Sequence, residues 1–447
     1  MSRFLKVLVA LLAIATIATP AMAELSLHGY YRLQGIANNE TGSSVAFGGP
    51  ASKEDSTSTM IDQRLRVKAT DQLNDQVSWT WYGEVDSSFG NAGKDGGPGG
   101  DRVSVETKNA YLDVAIPNTM IKLRTGLQGI ADRYDGLVIF DDWSAISATL
   151  ALSDTVKLGL LYSKPEEGNT REWDDIDMYK ASLDIKGGAV NLGADFMYLN
   201  INTGAAAAAG AGDSFVFNLD SAIFNTPGLG STGDIYVAGV EADTKVGDVG
   251  IDGFFVYEGG SFDSNTTPNV SLDVSAFAAS LRAKAKVGNV GLAGRLIYLS
   301  GDGDDDTDIE GFLPNFGGNF DLFGENFMIM LTDKNYNNGQ GGRLAINQAT
   351  NNQHGMTAVT AQASTAMGDY KGNLAVGYFM ANETDTGVDD SYGTEICARV
   401  SRMIAEKVDV SLNGAYAVLG DFWKDDAGLA GDPDNIWATT LTVKVSF

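Results

Sequence analysis

Charged side chains recur at alternate positions along this 447-residue chain. Asp62, Arg64, Arg66 and Lys68 share one parity of a run whose other parity is Ile61, Gln63, Leu65 and Val67. Arg32, Glu84, Asp86, Lys122, Arg124, Lys157 and Lys180 sit in similar runs. So do Asp184, Asp195, Asp252, Arg282, Lys284, Lys286, Arg295, Arg399 and Asp409. Charges held on one wet face select ions and polar solutes by field and size. Catalysis is a weaker fit. Only His28 and His354 are available, and no nucleophile motif accompanies either. There is no phosphate loop, no Cys/His metal spacing and no Cys-x-x-Cys-His run. The expectation is a protein that is not an enzyme and holds no resident cofactor.

Three groups of residues are the candidates for chemistry. Arg32, Arg64, Arg66 and Arg124 gather in the first part of the chain and are expected to form a basic wall. The segment 129–143 supplies Asp132, Arg133, Tyr134, Asp135, Asp141 and Asp142. If that segment turns inward, its carboxylates face the basic wall. Further on, Asp302, Asp304, Asp306 and Asp308 alternate, with Glu310 beyond. Hard cations such as calcium favour several oxygens. The run is a poor EF-hand, because Thr307 stands where Gly is needed and Leu313 where Glu is needed. Diffuse attraction of cations to solvated loops is the alternative. The formal net charge of −27 repels nucleic acid.

The elements that carry these residues have a period of two. Leu25, Leu27, Gly29, Tyr31 and Leu33 alternate with Ser26, His28, Tyr30, Arg32 and Gln34. Val77, Trp79, Trp81, Gly83 and Val85 alternate with Ser78, Thr80, Tyr82, Glu84 and Asp86. Each such run is a strand with one dry and one wet face. Short turns are expected at 71–75, 117–119, 153–154, 186–188, 245–248, 287–289, 368–372 and 403–407. Long polar loops lie between them near 37–57, 90–101, 129–143, 164–175, 200–233, 258–271, 300–352, 382–390 and 420–434. Short turns on one side and long loops on the other build a membrane barrel. Eight turns and nine loops join eighteen strands and put both termini on the short-turn side. Sixteen and twenty strands are the alternatives, with Asn326–Leu331 the ambiguous segment.

Val190 to Tyr198, Val249 to Tyr257, Val290 to Tyr298 and Val408 to Tyr416 repeat one spacing. Eight residues at ~3.3 Å span ~26 Å along a strand. Tilted by about 40°, that is roughly 20 Å of height, near the ~25 Å apolar band of a membrane barrel. The tyrosines then mark an aromatic girdle at the lipid–water boundary. A soluble β-sandwich explains neither the girdle nor the unequal connections. The fold expected is all-β: a single transmembrane antiparallel up-and-down barrel over 24–447. Residues 1–23 read as a cleaved secretory signal peptide: Arg3 and Lys6, an apolar run from Val7 to Ala18, then Ala21-Met22-Ala23. That apolar run is too short for a membrane helix. The single cysteine, Cys397, rules out an internal disulfide.

The last strand ends Val443, Lys444, Val445, Ser446, Phe447. This resembles Gram-negative outer-membrane proteins, whose final amphipathic strand typically ends in Phe and is read by the assembly machinery. The stretch NAYLDVAIPNTMIKLRTGLQ, before GIADRYDGLVIFDDW, resembles the porin arrangement in which a Gly-Arg-Gln-like strand end precedes an inward loop. Here that signature is replaced by Thr125-Gly126-Leu127-Gln128. Residues 301–324 resemble the acidic loop and Phe-x-Pro segment of alginate-export-like porins, which are eighteen-stranded. Porins of this layout occur in anaerobic metal- or sulfate-reducing bacteria. The resemblance implies an outer-membrane porin passing small hydrophilic solutes or ions through a charged, water-filled lumen, with lipid and lipopolysaccharide around it. On that reading Arg32, Arg64, Arg66, Arg124, Asp132, Arg133, Asp135, Asp141 and Asp142 line the constriction. A sheath for a partner such as a multihaem cytochrome is the alternative, and homotrimer and monomer both stay open.

Overall fold

The computed structural model describes residues 25–39, 57–90, 96–97, 103–167, 175–202, 231–264, 271–303, 308–313, 326–331, 344–350, 353–426 and 434–447. The expected signal peptide lies outside them, as do Asp304 and Asp306.

Eighteen long strands form one closed antiparallel sheet. The first nine are β1 (Ser26–Asn38), β2 (Ser58–Gln72), β3 (Val77–Ser88), β4 (Glu106–Ala115), β5 (Ile121–Ala131), β6 (Phe140–Ala151), β7 (Val156–Glu166), β8 (Ile176–Ile185) and β9 (Val190–Asn202). Next come β10 (Ser231–Val246), β11 (Val249–Ser264), β12 (Ser271–Val287) and β13 (Val290–Leu299). A two-residue piece, β14 (Asp308–Ile309), pairs in parallel with β12. The wall then passes directly from β13 to β15 (Met356–Met367). It continues through β16 (Tyr370–Met380), β17 (Ser391–Ala405), β18 (Val408–Leu419) and β19 (Ile436–Ser446). Pairing of β1 with β19 closes the ring. Asn326–Leu331 is not a strand but an irregular segment buried inside the barrel, so the count stays at eighteen.

The turns are tighter than the alternation alone implies. β10–β11, β12–β13 and β15–β16 are joined by two residues each, at 247–248, 288–289 and 368–369. The first of each pair is Gly247, Gly288 or Gly368, with φ of 62°, 59° and 60°. Two-residue hairpins need such a positive φ to match the twist of their strands, and glycine supplies it without a Cβ clash.

The outer face is a lipid belt. Val240, Leu281, Leu374 and Leu412 project from mid-strand and are exposed. Tyr198, Tyr257, Tyr298 and Tyr416 all lie on this face, toward the long-loop end. Around them Tyr162, Tyr179, Tyr198 and Tyr236 stand opposite one another on adjacent strands. Their ring centroids are 5.3, 6.1 and 5.1 Å apart in turn. Among the described residues no helix is long and apolar enough to cross a membrane. At the chain end the N–H and C=O of Phe447 pair with those of Gly29 at 3.0 and 2.9 Å. The Phe447 ring occupies the space where a Gly29 side chain would stand.

On β9 to β15 the inner face divides along the barrel axis: Asp195, Asp252 and Arg295 lie toward the short turns, whereas Met197, Leu199, Val237, Val256, Ala278, Ile297, Leu299 and Ala358, toward the long loops, are buried. On β1 to β6 the charged residues continue toward the long loops, through Asp62, Asp86, Lys108 and Asp142. The buried apolar residues pack against chain that has entered the barrel, including Leu137–Ile139, Phe327–Leu331 and helix α1 (Leu344–Thr350). A second short helix, α2 (Phe422–Asp426), brings Phe422 and Trp423 into the same core.

The belt makes a direct prediction. Val240→Arg, at mid-strand on the lipid face, should destabilise the barrel by ~2–4 kcal/mol, and Val246→Arg, beside a turn, by ~0–1 kcal/mol. Equilibrium unfolding in urea from lipid vesicles measures both. Equal costs at the two sites would contradict the placement of the membrane midplane.

Candidate functional site: an ion-paired lumen and an inward loop

The four arginines of the expected basic wall stand on β1, β2 and β5, and each is held by a carboxylate of β2, β3 or β4. Arg32 and Arg64 face each other in register, a like-charge pair that is unfavourable on its own. A diagonal carboxylate, Asp62, and one directly opposite Arg64 on β3, Asp86, relieve it. Arg32 Nη2 donates to Asp62 at 2.7 Å. Arg64 donates to both oxygens of Asp86, at 2.7 and 2.5 Å. Arg66 donates to Glu84, and its guanidinium lies 5.9 Å from the rings of both Tyr30 and Tyr82. Arg124 makes a two-pronged pair with Asp113 at 2.7 and 3.0 Å, stacked 4.0 Å over Tyr111. Planar two-pronged pairs of this kind fix the guanidinium in place as well as neutralising it.

The strands flanking the inward loop run further than the alternation predicts. β5 continues to Ala131 and β6 begins at Phe140, so the loop is 132–139 rather than 129–143. The carboxylates of 129–143 make contacts of their own. Asp132 ties the loop to itself: Oδ1 accepts the N–H groups of Tyr134 and Gly136 at 2.6 and 3.0 Å, and Oδ2 those of Val138 and Ile139 at 2.6 and 2.8 Å. Burial pushes the Asp132 carboxyl above the usual carboxylate range, and these four donors oppose the shift. Asp141 accepts the Asp142 N–H at 2.7 Å. Asp142 pairs with Lys108 at 2.8 Å and accepts from Asn109 at 2.8 Å.

Arg133 and Asp135 reach across the lumen. Arg133 donates to Asp195 on β9 at 2.9 Å and to Asp184 on β8 at 3.1 Å, with Glu241 on β10 at 3.6 Å. Lys180 joins this knot through Asp195 at 3.0 Å and also donates to the Ala131 carbonyl at 3.1 Å. Asp135 holds a positive φ of 60° at the loop tip and pairs with Arg295 on β13. Arg295 is in turn held by Ser280 at 2.7 Å. Tyr134 lies against Phe254 of β11, ring centroids 5.5 Å apart. A strap leaving the wall at β5 and β6 thus ends on β8 to β13. It meets that wall where charge gives way to apolar residues: Asp195 then Met197, Asp252 then Phe254, Arg295 then Ile297.

No family profile and no curated protein matches the chain. Solved structures do. OpdL of Pseudomonas aeruginosa superposes with a TM-score of 0.59 at 8% identity, over 95% of this chain and 99% of that one. OccK3 (OpdO) of the same organism gives 0.55 at 9%, over 94% and 96%. A BenF-like porin from Pseudomonas fluorescens Pf-5 gives 0.54 at 9%, over 95% and 98%. The chain has the outer-membrane porin fold. At such identity the likeness extends to architecture and not to any one solute.

Two buried carboxylates of this porin-fold barrel escaped the reading of the sequence. Glu395 on β17 is fully buried and accepts the N–H groups of Met328, Ile329 and Met330 at 2.7, 3.0 and 2.8 Å, with the Cys397 thiol donating at 2.9 Å. Glu258 on β11 is fully buried and accepts the Leu313 N–H at 2.9 Å. Each is a lone acid among inward apolar residues, and that isolation was the available signal. Asp302 and Asp308 are described, but with Asp304 and Asp306 outside the described residues the acidic run is not seen whole.

Removing the Glu395 carboxylate would strand three buried N–H groups, each unmet donor costing ~1–3 kcal/mol. Glu395→Ala is therefore expected to lower stability by at least ~2 kcal/mol in urea unfolding. Glu406→Ala, at an exposed turn, should leave it unchanged. Equal stability of the two variants would show that Glu395 does not anchor the internal segment.

Proposed function

We propose that this chain is a porin, a passive outer-membrane passage for small hydrophilic solutes or ions. The observation that carries the reading is the strap 132–139, pinned to the far wall through Arg133 and Asp135. It narrows a charged lumen. Arg32, Arg64, Arg66 and Arg124 then act as fixed members of ion pairs along the wall, and Asp132, Arg133, Asp135, Asp141 and Asp142 shape the constriction around the strap. Because the charges are paired locally, the lumen presents alternating signs rather than one strong field. Selectivity by size should outweigh selectivity by charge. The strap also argues against a sheath, since a folded partner in the lumen would have to displace it.

Purified protein in planar bilayers should give discrete conductance steps, with a small reversal potential under a potassium chloride gradient. Asp135→Asn removes the negative charge that Asp135 sets against Arg295 and should move that potential toward anion preference. Silent bilayers under conditions where the barrel is folded would overturn the pore. Haem that co-purifies with the barrel would favour the sheath instead.

A further inference from the structure

Two inward-facing glycines stand where the strap meets the far wall. Gly193 on β9 lies beneath the guanidinium of Arg133, so close that a Cβ at this position would overlap it. Gly239 on β10 lies beneath the phenol of Tyr134, whose oxygen is 2.5 Å from where its Cβ would stand. Both glycines are buried, and neither has the positive φ that would explain glycine by backbone conformation. A strand interior gains nothing from glycine, which removes packing and costs entropy, so its presence marks a close approach. Around Gly193 the wall supplies Asp184, Asp195 and Glu241 to Arg133; around Gly239 it supplies Phe254 to Tyr134.

We infer that Gly193 and Gly239 form a keyhole that positions the constriction: the missing side chains admit Arg133 and Tyr134, and their seating fixes how far the strap projects into the lumen. The inference deepens the pore reading and rests on it for its functional consequence. The atoms a new Cβ would meet first at Gly193 are the far end of a flexible side chain, not backbone. A side chain there should therefore evict Arg133 and leave β9 in place. The two glycines are positioning residues, and solute passes them only through what they hold.

The test combines a chemical and an electrical readout on Gly193→Val and Gly239→Val, with Gly193→Ala as the milder change. Phenylglyoxal, small enough to enter the lumen, modifies accessible arginines, and peptide mass mapping locates the adducts. In the native chain Arg133 should be protected while exposed Arg402 is modified. In Gly193→Val, Arg133 should lose its protection, and single-channel conductance should shift from the native value with added open-channel noise. Gly250→Val is the control for bulk alone: Gly250 shares the inward face of Asp252, and a Cβ there meets only a Lys284 carbonyl, at 3.9 Å. It should leave Arg133 protected. In an Arg133→Ala background, Gly193→Val should add no further conductance change, because the keyhole is empty. Heat-modifiable gel mobility reports that each barrel is folded.

Continued protection of Arg133 in folded Gly193→Val or Gly193→Ala would overturn the keyhole, as would full additivity with Arg133→Ala. If the native protein does not conduct at all, the pore reading falls by itself, and the arginine-protection arm still decides whether the glycines seat the strap.

Discussion

Lipid offers no hydrogen bonds, so every backbone N–H and C=O of a membrane-crossing sheet must find its partner within the protein. That constraint sets the rest of this structure. A sheet of eighteen strands satisfies it only by closing, and closure depends on the pairing of β1 with β19 along Tyr30–Asn38. The reciprocal bonds of Gly29 and Phe447 extend the seam to the last residue. Once the wall is closed, its outer face is committed to lipid and only its inner face is left for anything specific.

The inner face uses two ways of satisfying buried groups. On β1 to β6, basic side chains and carboxylates of neighbouring strands neutralise one another along the wall. On β9 to β18, in the half near the long loops, apolar side chains cover chain that has folded into the barrel. Backbone brought into that dry half has unmet N–H groups, and Glu258, Glu395 and Asp132 meet them. These carboxylates serve the internal chain much as a capping residue serves a helix end. The strap 132–139 sits at the boundary of that dry half, with charged contacts through Arg133 and Asp135 and apolar ones through Leu137, Val138 and Ile139.

Much of this was legible in the sequence, and the limits have physical causes. Alternation fixes which face a residue takes, so Arg32, Arg64, Arg66 and Arg124 are found on one face. Turn and loop lengths gave the strand number, and the Val-to-Tyr spacing led to the stacked tyrosines. The partners of those arginines were harder to read. Strand pairing joins Arg32 to Asp62 and Arg124 to Asp113, and these neighbours neutralise charges that looked free along the chain. Contacts such as Asp135 with Arg295 join residues 160 positions apart and leave no local trace. The packed half was present as runs such as Phe196-Met197-Tyr198-Leu199 and Phe254-Phe255-Val256-Tyr257, where alternation fails. Strands lose alternation when both faces are dry. In a barrel, that means something apolar fills the inside.

The wall of β9 to β15 is divided along the barrel axis, charged on the short-turn side of the strap and packed on the long-loop side. Exclusion of non-electrolyte polymers of graded size, added to one side of a bilayer at a time, measures this division most directly through the change in channel conductance. Polymers offered from the short-turn side should enter up to a larger size than those offered from the long-loop side. Equal cut-offs from the two sides, or a larger one from the long-loop side, would contradict it.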